Sequence, residues 1–193
     1  AEVNDLNTPR RGPAGLGTAT AALAVGGSLY PTSTVALAEE WNASVPIGSW
    51  ATAADMNNTN FNVAGTGTTT AALVCGGTPS SSKNVKSETF NGTSWTEQGN
   101  MNTGKYGPGS SGTTTAGLAF GGEPASPSRA DSETFNGSSW TEAPDLNAGR
   151  ESLSGAGTQT SAIAVGGQTP PGTIVASAEL FNGSSWTETG DMS

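Results

Sequence analysis

The sequence predicts an all-β protein made of four copies of one four-stranded unit. Four apolar tetrads are each followed by Gly-Gly, and these pairs begin at residues 26, 76, 121 and 166, so the unit recurs every 45 to 50 residues. A Ser-Trp step recurs with it, and the next Gly-Gly lies 26 residues after each of Trp50, Trp95 and Trp140. Units of this length with repeated Gly and aromatic marks are typical of β-propeller blades. We therefore predict a β-propeller of four-stranded antiparallel blades, with four blades in this chain, alone or as part of a larger ring or array.

The composition fits this fold only because of the repeat. Of the 193 residues, 28 are Gly, 33% are hydrophobic and 12% are charged. So small an apolar fraction would suit a disordered chain, but such disorder also needs a high charge density, and low-complexity sequence does not keep fixed spacings. We expect a single propeller domain over residues 1–193, with blades at about 8–54, 58–99, 103–144 and 148–188.

Each strand of the unit has its own signal. The first strand is a run of small residues, which suits a place where neighbouring backbones come close. The second, Ala21–Val25, alternates larger and small residues, as a strand buried on both faces does. The third and fourth, Ser87–Phe90 and 94–97, flank Asn91-Gly92, a strong hairpin signal because both residues tolerate positive φ. The first strands are predicted at Gly12–Gly17, Val63–Gly67, Gly107–Gly112 and Ser152–Gly157.

The order of these marks resembles the kelch repeat. That repeat carries Gly-Gly, a Tyr-Asp step, a Trp and a Met-to-Arg segment, and this chain carries Gly-Gly, an aromatic-Asn step, a Trp and Met/Leu-Asn before a basic residue. The sequence departs at the Tyr-Asp step, which is Phe-Asn or Trp-Asn here. Its wording is also similar to kelch-like arrays in tail-fibre and other virion proteins of marine bacteriophages and in environmental bacterial surface proteins. The resemblance covers essentially the whole chain and implies a virion or extracellular location.

The two ends of the chain carry the same segment. Residues 1–7 and 187–193 both match residues 141–147, so four blades are accompanied by a duplicated connector. This predicts an excerpt of a longer array or a ring completed with another copy. A four-bladed ring with one loose end is the alternative.

The residue inventory excludes several kinds of site. With no His and one Cys, zinc clusters, Ser-His-Asp triads, Cys-His dyads and a galactose-oxidase-like copper centre lack their ligands. Seven basic residues against sixteen acidic ones are a poor basis for binding nucleic acid, and no apolar stretch approaches the roughly 20 residues of a membrane span. We predict no enzyme activity, no cofactor, no metal site, no nucleic-acid partner and no membrane insertion.

One face of the predicted propeller gathers the basic residues. The loops between second and third strands share this face with the connections between blades, and binding usually resides on loops of a rigid scaffold. These loops differ between copies and are Ser28–Thr34, Thr78–Lys86, Glu123–Asp131 and Gln168–Thr173. We predict a binding ring on this face, made of Arg10, Arg11, Asn60, Phe61, Lys105, Tyr106 and Arg150. The alternative is that its Arg and Lys side chains brace the loops by pairing with Asp5, Asp55, Asp145 or Glu151.

Other recurrent residues are interpreted as scaffold. A Trp at fixed spacing is expected to pack between blades rather than to stack on sugars, and Cys75 is expected to be a small buried hydrophobe. The connector Asp residues are better explained as turn caps than as calcium ligands, because one carboxylate per connector does not supply the six to eight oxygens that Ca²⁺ takes.

These observations predict a non-enzymatic structural and adhesive module of a virion, in a tail fibre or appendage, or of an extracellular surface. It would bind a glycan or protein partner through the loop face. Its partners would be other copies, virion or appendage proteins, or a host-surface glycan. The alternative is a secreted or cell-surface lectin-like carbohydrate-binding propeller.

Overall fold

The fold consists of strands joined by turns and loops. The computed structural model describes residues 5–29, 33–43, 48–79, 84–124 and 130–192. Within these ranges there is no helix, and so none long and apolar enough to cross a membrane. Over its described length the chain is all-β, as the sequence predicts.

Four antiparallel four-stranded sheets form the blades of a four-blade β-propeller, which confirms the predicted fold class. In each blade the four strands lie side by side in chain order, and the first strands of all four blades line one central cavity. We number the strands of a blade one to four from this axis outward. Their bounds are Ala14–Gly17, Ala21–Val25, Ala38–Asn42 and Ser49–Thr52 in blade 1; Ala64–Thr68, Ala71–Cys75, Ser87–Phe90 and Trp95–Glu97 in blade 2; Gly109–Gly112, Gly117–Phe120, Ser132–Phe135 and Trp140–Ala143 in blade 3; and Ser154–Gly157, Ala162–Val165, Ala178–Phe181 and Trp186–Thr189 in blade 4.

Short two-stranded ladders involve the predicted variable loops between second and third strands: those of blades 1 and 4 lie within the loop, and the one in blade 3 pairs the loop with the connection before that blade. Parts of these loops, at residues 30–32, 80–83 and 125–129, lie outside the described residues. The ladders pair Ser28–Leu29 with Ser33–Thr34, Lys105–Tyr106 with Glu123–Pro124, and Gln168–Thr169 with Thr173–Ile174.

The first strands begin one or two residues later than predicted, because a left-handed residue precedes each of them. Gly12 and Gly107 have φ of 60°, and Asn62 and Ser152 adopt the same conformation with φ of 52° and 55°. Left-handed φ does not fit the extended strand conformation. The strands themselves confirm the expected crowding, since a Cβ on Gly65 would lie 3.0 Å from side-chain atoms of the neighbouring blade.

The turn between third and fourth strands is longer than the two-residue hairpin that Asn91-Gly92 predicts. Phe90 pairs directly with Trp95, so residues 91–94 all belong to the loop. The Asn91 Oδ1 atom accepts hydrogen bonds from the backbone N–H groups of Thr93 and Ser94, both at 2.9 Å. Asn91 therefore acts through its side chain, as an Asx turn, and only Gly92 takes positive φ in this loop.

The hydrophobic core lies between blades rather than within them. Leu23 and Val25 of blade 1 cluster with Val74, Phe90 and Trp95 of blade 2, and equivalent clusters join blades 2 and 3 and blades 3 and 4. Each such Leu or Val, once buried, contributes about 1.5–3 kcal/mol. Trp95, Trp140 and Trp186 are 5–7% exposed, which confirms that they pack between blades.

Candidate functional site

The loop-bearing face of the propeller holds all seven residues of the predicted binding ring. They lie on the connections that lead from one blade into the first strand of the next. The structure divides them into two sets with different surroundings. We call Arg10, Asn60, Lys105 and Arg150 the brace residues and Arg11, Phe61 and Tyr106 the rim residues.

The two brace arginines are buried and bind the scaffold. The Arg150 side chain is fully buried, with Nη1 2.9 Å from Oε1 of Glu179 in an ion pair and 3.2 Å from the Ser177 hydroxyl oxygen. In blade 1, Arg10 donates hydrogen bonds to the Ala24 and Leu37 carbonyl oxygens at 2.9 and 3.2 Å. Neither guanidinium is exposed to a ligand on the face.

The other two brace residues serve the same purpose by different chemistry. The Lys105 side chain is fully buried and pairs with the Asp131 carboxylate, while its Nζ atom also donates to the Asp131 carbonyl oxygen at 2.9 Å. Asn60 is 4% exposed and accepts a hydrogen bond from Asn84 Nδ2 at 3.0 Å. The four brace residues thus hold each connection against the loop beside it.

Bracing is the outcome that the sequence offered as the alternative, but its ion-pair partners differ from the expected ones. The pairs are formed with third-strand Glu39 and Glu179 and with Asp131, rather than with Asp5, Asp55, Asp145 or Glu151. The side chains run inward to the third strand instead of turning back along the connector. Burial lowers the pKa of Arg10, and the negative charges of Glu39 and Asp55 oppose that shift.

The rim residues form a continuous arc across three blades. Phe61 and Tyr106 are half-buried and meet edge to face, with ring centroids 6.0 Å apart. The exposed Arg11 guanidinium carbon lies 5.5 Å from the Phe61 ring centroid, within range of a cation–π interaction. In blade 4 the equivalent Glu151 is 8% exposed and accepts a hydrogen bond from Gln168 Nε2 at 2.8 Å. The arc offers one guanidinium and two aromatic side chains to a ligand.

Backbone hydrogen bonds join the connections that carry the rim residues, and we call this set of bonds the belt. Asn62 N–H donates to the Gly12 carbonyl oxygen, Gly107 N–H to Asn62, and Ser152 N–H to Gly107, at 2.9–3.1 Å. Each bond joins two neighbouring blades. The first strands of the four blades line an axial cavity of about 280 Å³ next to this belt. The rim residues therefore lie at the mouth of that cavity.

The third-strand glutamates are a recurrent polar element whose role the sequence did not reveal. Glu88 of blade 2 accepts hydrogen bonds from the N–H and side-chain amide of Asn57, both at 2.8 Å, and from Asn58 N–H at 3.0 Å. Glu133 and Glu179 receive the connectors of the preceding blades in the same way. We call each arrangement a glutamate latch. The signal was present in the sequence, because a third-strand Glu and a connector Asn recur together.

Two further predictions concern single residue types. Cys75 is 2% exposed, and burial raises the pKa of its thiol to about 12, so it is the buried hydrophobe expected. In the part of the chain that the structure describes, no three His, Cys, Asp or Glu side chains are grouped so as to hold a metal ion. Asp55 accepts a hydrogen bond from Ala38 N–H at 3.3 Å and so ties the connector to the third strand, 17 residues earlier, instead of capping its own turn.

Comparison with known proteins adds no family assignment. No protein-family model and no curated protein sequence matches the chain. The function must therefore be argued from the face of the propeller itself.

Proposed function

We propose that the chain is a kelch-like, non-enzymatic structural and adhesive module of a virion tail fibre or appendage, or of an extracellular surface. It binds a glycan or protein partner through the loop face. The order of Gly-Gly, aromatic-Asn, Trp and Met/Leu-Asn in the first three blades, with Met192-Ser193 as the last step in the fourth, supports the kelch-like assignment. The proposal assigns no catalytic residue, cofactor or metal.

The arc of Arg11, Phe61 and Tyr106 carries the proposal. Aromatic rings offer large apolar surfaces that suit flat ligand faces, and an exposed guanidinium pairs with carboxylates through two parallel hydrogen bonds. The three side chains already lie side by side over the backbone belt, so little conformational entropy is lost on binding. This chemistry favours acidic sugars or a carboxylate-bearing peptide.

A glycan array with neutral, sialylated and uronate-bearing sugars tests the ligand. We expect binding to acidic sugars, weakened in Phe61→Ala and Tyr106→Ala by about 1 kcal/mol each, or roughly fivefold in Kd. Thr115→Ala is the control, since Thr115 is an exposed turn residue of blade 3 between its first and second strands. If neither aromatic substitution changes the Kd, the arc is not the binding site.

Electron microscopy separates the adhesive module from the lectin alternative. A structural module should be found incorporated in particles or filaments of its source. A freestanding protein with strong, single-sugar specificity and no assembly would favour the lectin-like reading. Turnover of a glycan that disappears when one carboxylate is substituted would overturn both readings.

A further inference from the structure

Every junction between consecutive blades uses the same two surfaces. We call the side of a blade that meets the next blade its forward face and the opposite side its backward face. At the first junction Leu23 and Val25 of the forward face pack on Ala72, Phe90 and Trp95 of the backward face. Blades 2 and 3 and blades 3 and 4 meet in the same way. The chain thus contains the same interface three times.

The forward face of blade 4 has no such cover in the described structure. Ile163 is half-buried, whereas the equivalent Leu23, Leu73 and Leu118 are 1–2% exposed. Met192 is 49% exposed, and its equivalent Met101 is 3% exposed. These positions carry the residue types of a covered interface while remaining open to solvent.

The forward face of blade 4 also carries apolar residues at positions where the other blades carry polar ones. Leu180 is 48% exposed and occupies the position held by Glu40, Thr89 and Thr134 in blades 1, 2 and 3. Ile174, 85% exposed, takes the place of Thr34, which in blade 1 reaches forward to donate to the Pro79 carbonyl oxygen. The exposed large hydrophobic residues of the described chain are Ile174, Leu180 and Met192, and all three lie on this side. Exposed apolar patches of this kind mark interaction surfaces.

The backward face of blade 1 is open in a complementary way. A Cβ on Gly15 would meet no atom within 4 Å, whereas one on the equivalent Gly65 or Gly155 would touch the preceding blade. Ala22 is half-buried, while its equivalent Ala72 is 0% exposed. Within the described residues, therefore, blade 4 does not cover blade 1 as the other blades cover one another.

The polar part of this junction, in contrast, is already complete. Glu39 of blade 1 accepts hydrogen bonds from Asn7 N–H at 2.7 Å and Thr8 N–H at 3.2 Å, so its glutamate latch is filled by the chain's own first connector. A blade docking on blade 1 need not supply a connector. Only apolar surface is missing, and a separate molecule can provide it.

We propose that the forward face of blade 4 docks on the backward face of blade 1 of a second copy of this chain, so that copies assemble head to tail. The contact continues the interface that already joins the blades within the chain. Such heterologous contacts close into rings when the rotation allows it, and two copies would form eight blades, within the usual range for propellers. The inference specifies the copy-to-copy contact within the proposed function, and it uses none of the rim residues.

Sedimentation of the purified chain over a range of concentrations tests the proposal. We expect a species of at least twice the 19.1 kDa chain mass, which Ile163→Glu converts to monomer while circular dichroism stays unchanged. Thr115→Glu, with the same charge on an exposed turn of blade 3, should leave the assembly intact. A chain that is monomeric at every concentration, or an assembly that Ile163→Glu leaves unchanged, would overturn the proposal.

A mixing experiment tests the head-to-tail direction. Ala22→Glu blocks the backward face and Ile163→Glu the forward face, so each variant alone should be monomeric. Mixed together, they retain one intact face of each kind and should form a heterodimer through one junction. No heterodimer in the mixture would show that the contact is not head to tail. Glycan binding through the rim residues would be unaffected by either result, so the two proposals can fail separately.

Discussion

Breaking the Arg150–Glu179 pair tests whether the predicted basic ring is scaffold. Both side chains are fully buried, with Arg150 Nη1 2.9 Å from Glu179 Oε1. Removing one member of a buried pair leaves the other charge uncompensated, which costs about 3–5 kcal/mol. We therefore expect Arg150→Met and Glu179→Gln each to lower the free energy of unfolding by that amount.

The contacts that remain after each substitution determine how large the loss in the free energy of unfolding is within this range. Glu179 keeps the Asn147 N–H and side-chain amide, at 2.7 and 2.8 Å, when Arg150 is lost, so Arg150→Met should cost about 3 kcal/mol. Glu179→Gln removes the carboxylate from Arg150 and weakens the latch as well, so about 5 kcal/mol is expected. The double variant should cost little more than Glu179→Gln alone, which corresponds to a coupling of about 3 kcal/mol.

Urea unfolding followed by Trp fluorescence and circular dichroism measures these changes. Coincident transitions in the two signals establish the two-state behaviour that the free energies require. Lys86→Met is the matched control, because Lys86 and Glu97 form an ion pair at 2.8 Å with both side chains more than a third exposed. It should leave the unfolding midpoint nearly unchanged. If Arg150→Met behaves like this control, or if the two single effects simply add, the pair is not a coupled buried brace.

Four other substitutions test the remaining structural claims by the same unfolding assay. Trp95→Ala should cost about 3–5 kcal/mol as a large aromatic deletion from the core, and Trp50→Ala should cost less because Trp50 is only half-buried. Asn136→Ala removes the acceptor of the Ser138 and Ser139 N–H groups, each at 3.0 Å, and should cost about 1 kcal/mol. Burial raises the pKa of Cys75 from 9.0 to about 12, so the folded state holds a proton that the unfolded state loses, and stability should fall as pH rises from 9.0 toward 12. Cys75→Val should remove up to about 1.4 kcal/mol of that loss per pH unit between pH 9.5 and 10.5, and an unchanged pH dependence would contradict burial of the thiol.

The sequence predicted most where a pattern is local. The second strand Ala21–Val25 has the predicted bounds, because the larger residues of its alternation, Leu23 and Val25, share the side that packs on blade 2. The third strand Ser87–Phe90 does too, since the Asn91 turn follows it immediately. The first strands were displaced by one or two residues because the run of small residues does not show which one takes the left-handed conformation; Asn62 adopts it as Asn often does, whereas Ser152 is an uncommon case.

The ion pairs were harder to predict because they join distant positions. The alternative interpretation paired the Arg and Lys side chains with Asp5, Asp55, Asp145 or Glu151, yet the Arg10 guanidinium reaches Glu39, 29 residues further on. A period shows that two residue types recur together, but it does not show which ones touch. The glutamate latches were missed for the same reason, since Asn57 and Glu88 are 31 residues apart and belong to different blades.

Departures from the repeat are therefore the most informative residues for function. A position that keeps its chemistry in every blade, such as the latch glutamates, serves a contact that every blade needs. The rim position holds Arg11, Phe61, Tyr106 and Glu151 in the four blades, so it cannot serve one shared scaffold contact. In the same way blade 4, whose forward face is open, carries the apolar Leu180 where blades 1, 2 and 3 carry the polar residues Glu40, Thr89 and Thr134. Positions that vary while the rest of the repeat stays constant thus support the two proposed surfaces. These are the mouth for a ligand and the open faces of blades 4 and 1 for another copy.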